Sequence, residues 1–382
     1  YSFNSNIKII NNLLLLDAFQ YEKKEKKDSL LSFKGIYKEN KSLVFDSISL
    51  TENKNNFLIK NLILDKNFKI IDIDSLKLDY TNNSEIKNDL SIKKNKDNFK
   101  LEGKSFDLSK LIDEILDDNG TESSSIFKNL TSNIVINMKK IYIDKTTYVN
   151  DLSGEINFKN NNINKLNLFS TFPNQKQLTL TINTNANNEK ITTLYSDYPK
   201  PLIKKYKFIK GFEEGVLDFY SIKKGNFSNS LLKIDNFKVQ EVPVLAKLLT
   251  LASLQGIADL LTGEGIRFTD LEMKFSNENN LTTIDEMYAI GPAISILLDG
   301  YIESKKIVSL RGTLVPATTI NKTIASIPLL GDILVGKKVG EGIFGVSFKL
   351  KGPPKDIKTT VNPIKTLTPR FITRTLEKIK KN

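Results

Sequence analysis

The stretch "ISILLDGYIESKKIVSLRGTL", Ile294 to Leu314, decides the fold class. Successive side chains of an extended backbone point to opposite faces, so Ile294, Ile296 and Leu298 share one face, as do Val308, Leu310 and Leu314. A period of two over this length predicts half-buried β-strands. The same alternation recurs upstream. Leu62 and Leu64, Ile71 and Ile73, and Leu76, Leu78 and Tyr80 each gather on one side. Ile134, Ile136 and Met138 do so too, then Ile141 and Ile143, Leu166 and Leu168, and Leu178, Leu180 and Ile182. Phe268, Leu271, Met273 and Phe275 lead into the opening stretch, and Phe344, Val346, Phe348 and Leu350 follow it.

About 14 to 18 strands are expected from these runs and their spacing. The connections "TNNSE", "KKNKDN", "KNNN" and "NANNEK" are rich in Asn and Lys, as the hairpin turns of an antiparallel meander would be. The expected fold is mainly β with a few helices. Strands about 4.8 Å apart would make 14 of them a ribbon about 70 Å long with one dry face. Such a ribbon has to close into a barrel, fold over as a sandwich, or cover its dry face with something else.

Composition removes most catalytic chemistry. The 382 residues include neither Cys nor His, which excludes disulfides, thiolate chemistry, the Ser-His-Asp arrangement and every His-containing zinc site. No enzyme, cofactor or metal is expected. The net charge is +12, yet nearly all the cations are Lys spread along the chain, with Arg only at 267, 311, 370 and 374. Base readout and phosphate clamping favour Arg forks and stacked aromatics, so the spread Lys read either as an ordinary solvated surface or as a face for an anionic membrane, not for nucleic acid. "LTGEG" and "VGKKVGEGIFG" lack the spacing of a phosphate loop and read as turn and cap glycines. Glu213 with Glu214 and Asp117 with Asp118 are sequence neighbours in charged loops.

Helices are expected at four places. "DLSKLIDEILDD", Asp107 to Asp118, starts at a Ser or Asp cap and runs into the polar linker "NGTESSS", Asn119 to Ser125, the expected boundary between regions 1–118 and 119–382. "VLAKLLTLASLQGIADLL", Val244 to Leu261, is apolar nearly all round. Leu245, Leu248 and Leu249 lie on one side and Leu251, Leu254 and Leu261 on another. As a helix it would be about 27 Å long, short for a membrane span. "NKTIASIPLLGDILVG", Asn321 to Gly336, is the third. The C-terminal "TPRFITRTLEKIKKN" places Phe371, Ile372, Leu376 and Ile379 on one face and Arg370, Arg374 and Lys378 around it, the pattern either of a helix lying on a membrane surface or of an ordinary surface helix packed on the sheet.

The second half resembles a known family. "FKVQEVPVLAKLLTLASLQGIADLLTGEGIRFTDLEMKF", "YAIGPAISILLDGYI", "LRGTLVPATTINKTIASIPLLGDILVG" and "GEGIFGVSFKLKGPPKDIKTTVNP" are similar, in order, to the C-terminal region of AsmA-like bacterial envelope proteins, which include the DUF3971 group, YhdP and TamB. "GKSFDLSKLID", Gly103 to Asp113, resembles the strand-then-helix stretch that precedes this region. The likeness covers about residues 205–380 strongly and 90–204 more weakly. At the end, "NPIKTLTPRFITRTLEKI" is more basic and Thr-rich than the family's ending.

The resemblance implies an elongated, curved antiparallel sheet whose apolar groove holds acyl chains, as in bridge-like lipid transfer proteins. It also implies a periplasmic body anchored in the inner membrane by an N-terminal segment that this chain lacks. The implied role is phospholipid movement between inner and outer membranes, with outer-membrane assembly proteins as further partners. The alternative is a non-catalytic structural or assembly factor. The groove candidates are Ile294, Ile296, Leu298, Val308, Leu310, Phe344, Val346 and Phe348. Leu248, Leu249, Leu251 and Leu260 are candidates for a helix lying over the groove as a plug, lid or end cap, the alternative being a core helix of a closed β domain.

Overall fold

The computed structural model describes residues 1–38, 42–110, 129–205, 211–240, 242–251, 263–316 and 345–364. The chain is mainly β, as its alternation predicts. Among the described residues there are 23 strands, the helices Lys200–Lys205 and Pro243–Leu251, and a 3-10 turn at Asp17–Phe19. The strand number exceeds expectation partly because Leu14–Leu16, Tyr21–Lys23 and Ile70–Asp72 are too short to display a period. The helices expected at 321–336 and at the C-terminus, and the linker 119–125, lie outside the described residues.

Two compact units are formed, Tyr1–Thr193 and Leu194–Asn382. In the first, the strands Ser2–Ile9, Ser29–Lys38, Ser42–Glu52, Asn55–Asp65, Ser75–Thr81, Lys87–Asn95 and Asn98–Asp107 pair one after another, all antiparallel. Asn98–Asp107 then pairs in parallel with Ser132–Tyr142, and Tyr148–Lys159, Asn162–Thr171 and Gln177–Thr184 continue antiparallel. A parallel step needs a crossover of a dozen or more residues, which residues 108–131 provide. At the end of Asn98–Asp107, Asp107 Oδ1 accepts the Ser109 amide at 3.0 Å and its Oδ2 accepts Asn82 Nδ2 at 2.7 Å.

The second unit is a plain meander. Gly211–Lys224, Phe227–Gln240, Ile266–Glu278, Leu281–Ile290, Ile294–Glu303, Ile307–Pro316, Gly345–Gly352 and Lys358–Ile364 pair antiparallel in chain order. Its turns and those of the first unit use the Asn that the sequence supplies. Between Tyr148–Lys159 and Asn162–Thr171, Asn160 and Asn161 both take positive φ, 51° and 65°, as a two-residue hairpin of matching twist requires. In the two-residue turns at 53–54 and 279–280 only the first residue takes positive φ, Asn53 at 50° and Asn279 at 52°.

Candidate functional site

Residues directly opposite each other on neighbouring strands share a face, so the register assembles the alternating apolar residues into rows across each sheet. In the first unit Phe33, Ile48, Ile59, Leu76, Ile92 and Leu101 are successive partners, and Ile136, Gly154, Leu168 and Leu180 extend the row. Ile136 is buried, while the other apolar members of this row are half-buried.

The adjoining row of Leu50, Phe57, Leu78, Leu90 and Met138 is buried. An aromatic cluster closes this side of the face. The Tyr21 and Phe57 ring centroids are 4.8 Å apart and those of Phe57 and Tyr80 4.7 Å. Tyr80 donates its hydroxyl to Phe19 O at 2.9 Å, and Tyr21 donates to Glu52. Burial raises both phenol pKa values well above the ordinary 10.0, with the Glu52 carboxylate adding to the effect at Tyr21.

In the second unit one row runs Leu217, Ile234, Leu271, Ala289, Ile296, Leu314 and Val346. The next runs Phe219, Leu232, Met273, Met287, Leu298, Gly312, Phe348 and Val361. The Phe348 ring lies over Gly312, where an added Cβ would come within 2.5 Å of its Cζ. A third row begins with Ser221 and Ser230, whose buried hydroxyls are 2.9 Å apart, and continues through Phe275, Ile284, Gly300, Leu310 and Leu350. Lys223 stands on the same face one position beyond Ser221, and burial holds its ammonium below the ordinary lysine range. The face is therefore apolar across most of its width and polar at one corner.

The seven groove candidates that the structure describes fall together on this face. Ile294, Val308, Val346 and Phe348 are buried, and Ile296, Leu298 and Leu310 are half-buried against the same cluster. Phe344 lies outside the described residues. Of the lid candidates, Leu248 and Leu249 pack into that cluster at 4% and 0% exposure, together with Leu245. Leu251 points away and is 47% exposed, and Leu260 lies outside the described residues. The described helix Pro243–Leu251 thus has one buried side, not an apolar contact all round. Arg370, Phe371, Ile372, Arg374, Leu376, Lys378 and Ile379 also lie outside the described residues.

Sequence reasoning missed Leu217, Ile234, Phe237 and Phe212, all buried in this cluster. Their spacing departs from two because Asn236 and Glu214 take positive φ, 51° and 62°, and Gly215 follows at 88°. Each such residue turns the strand, so that Ile234 and Phe237, three apart, face the same way. The signal available was Asn and Gly inside an otherwise apolar run.

Among the described residues no group of three or more Asp, Glu, His or Cys is placed to hold a metal. No described helix is long and apolar enough to cross a membrane. Comparison with protein-family models, with curated proteins and with solved structures gives no match.

Proposed function

We propose that the apolar faces bind the acyl chains of phospholipid or a similar lipid, and that the protein carries such lipid between the inner and outer membranes of a bacterial envelope. The observation that carries this reading is the half-buried row from Phe33 to Leu180 in the first unit. A sheet normally buries such a face against a second layer. Here the apolar side chains stay partly accessible, and each acyl methylene laid on them would contribute about 0.8 kcal/mol. The ordered resemblance to AsmA-like envelope proteins supports the same reading, including a periplasmic site of action and an inner-membrane anchor.

Native mass spectrometry of the purified chain tests it directly. Copurified lipid, displaced by a fluorescent fatty acyl probe that binds with a Kd in the micromolar range or below, is the expected result. Protein that carries no lipid and does not bind the probe would overturn the reading. The second reading, a structural or assembly factor without lipid, draws on the helix Pro243–Leu251. Leu248 and Leu249 seal part of the second unit's face with protein alone.

A further inference from the structure

The opposite face of the second unit carries a group of cations for which acyl-chain binding has no use. Lys349 and Lys351 alternate with the buried Phe348 and Leu350, so they project from the other side of the strand Gly345–Gly352. The register places Arg311 directly opposite Lys349, and Lys351 directly opposite Lys358. All four side chains are exposed. Like charges placed directly opposite on a sheet destabilise it, since their Cβ atoms lie about 5 Å apart. Among the described residues one ion pair offsets this, Arg311 Nε donating to Asp299 Oδ1 at 2.7 Å. Tyr301 stands in the same row as Ser309, Lys351 and Lys358, and it is 40% exposed.

We infer that the polar side of the three strands Ile307–Pro316, Gly345–Gly352 and Lys358–Ile364, where Arg311, Lys349, Lys351 and Lys358 gather without a carboxylate of their own, docks on an anionic lipid bilayer surface. A sheet face that presents several ammonium groups matches a plane of lipid phosphates, and an exposed Tyr at its border suits the headgroup layer. Nucleic acid is a poorer fit, because it favours Arg forks and stacked aromatics. On these three strands the polar side has one Arg, Arg311, already engaged by Asp299. The inference does not depend on the apolar face holding lipid.

Flotation of the full chain with vesicles of phosphatidylcholine, with and without phosphatidylglycerol, tests it. Binding should require the anionic lipid and weaken as salt is raised. Each lysine near such a surface contributes about fivefold in affinity, so Lys349→Gln with Lys351→Gln should lower partitioning on the order of 25-fold. The variant should melt no lower than the parent, because it removes two like-charge contacts. Lys24→Gln with Lys26→Gln removes the same charge from exposed positions in the first unit and should leave binding nearly unchanged. Three results would each overturn the inference: no binding to anionic vesicles, equal losses in both variants, or tighter binding to a DNA oligonucleotide than to vesicles at the same ionic strength.

Discussion

The two units build their apolar faces by the same rule and finish them differently. In the first, the row through Ile48, Ile59, Leu76 and Ile92 stays half-buried, and only its flank is closed, by Tyr21, Phe57 and Tyr80. In the second, Leu245, Leu248 and Leu249 of one helix join Ile294, Leu314 and Val346 in a dry cluster. The sheet in each case makes an apolar surface. What lies on that surface determines whether it is a core or a place for a ligand. Under the proposed lipid-binding role, stability and binding should separate between the units, with substitutions in the second costing mainly fold and substitutions in the first costing mainly binding.

The largest effect should come from Val346→Asp, which puts an unpaired carboxylate at a position 1% exposed. A loss upwards of about 4 kcal/mol is expected in denaturant titration. Ile296→Asp, on the same row but half-buried, should cost clearly less. If the two variants melt alike, the burial difference within the second unit has no energetic meaning.

Leu249→Ala comes next. Emptying a fully buried site costs about 2 to 5 kcal/mol, and at 0% exposure Leu249 should fall in that range. A loss under about 1 kcal/mol, together with altered acyl-probe binding, would instead make the helix a lid resting on lipid.

Ile59→Ala should be the reverse case. Partial exposure limits its stability cost to about 1 kcal/mol, while probe affinity falls several-fold. Equal probe affinity in Ile59→Ala and the parent would remove the first unit's row from the binding surface.

The smallest effect concerns pH. Tyr21 and Tyr80 have pKa values raised on folding, so the folded state holds their protons more tightly than the unfolded state does. Stability is unaffected by them below the ordinary value of 10.0 and declines as pH rises from there. Melting temperature followed from pH 8 upward should bend down near pH 10, less so in Tyr21→Phe. A flat profile would show that this aromatic cluster opens to solvent.

By itself the sequence determined the β class and the facing of most strands, since a two-residue period follows directly from backbone geometry. It also determined where the turns fall, because Asn reaches positive φ at low cost and appears at 53, 160, 161 and 279, where the chain reverses. That seven of the groove candidates share one face follows for the same reason. Tertiary structure alone decided the rest. Pairing of Asn98–Asp107 with Ser132–Tyr142 is parallel, and no local pattern distinguishes a parallel neighbour from an antiparallel one. The positive φ values at Glu214 and Asn236 shift the inward face by a residue, so Phe212, Leu217, Ile234 and Phe237 join one cluster against the period. Burial, too, was decided there. Ile59 and Leu249 are equally apolar in sequence, and only the presence of a packed neighbour makes one a half-exposed surface and the other a core.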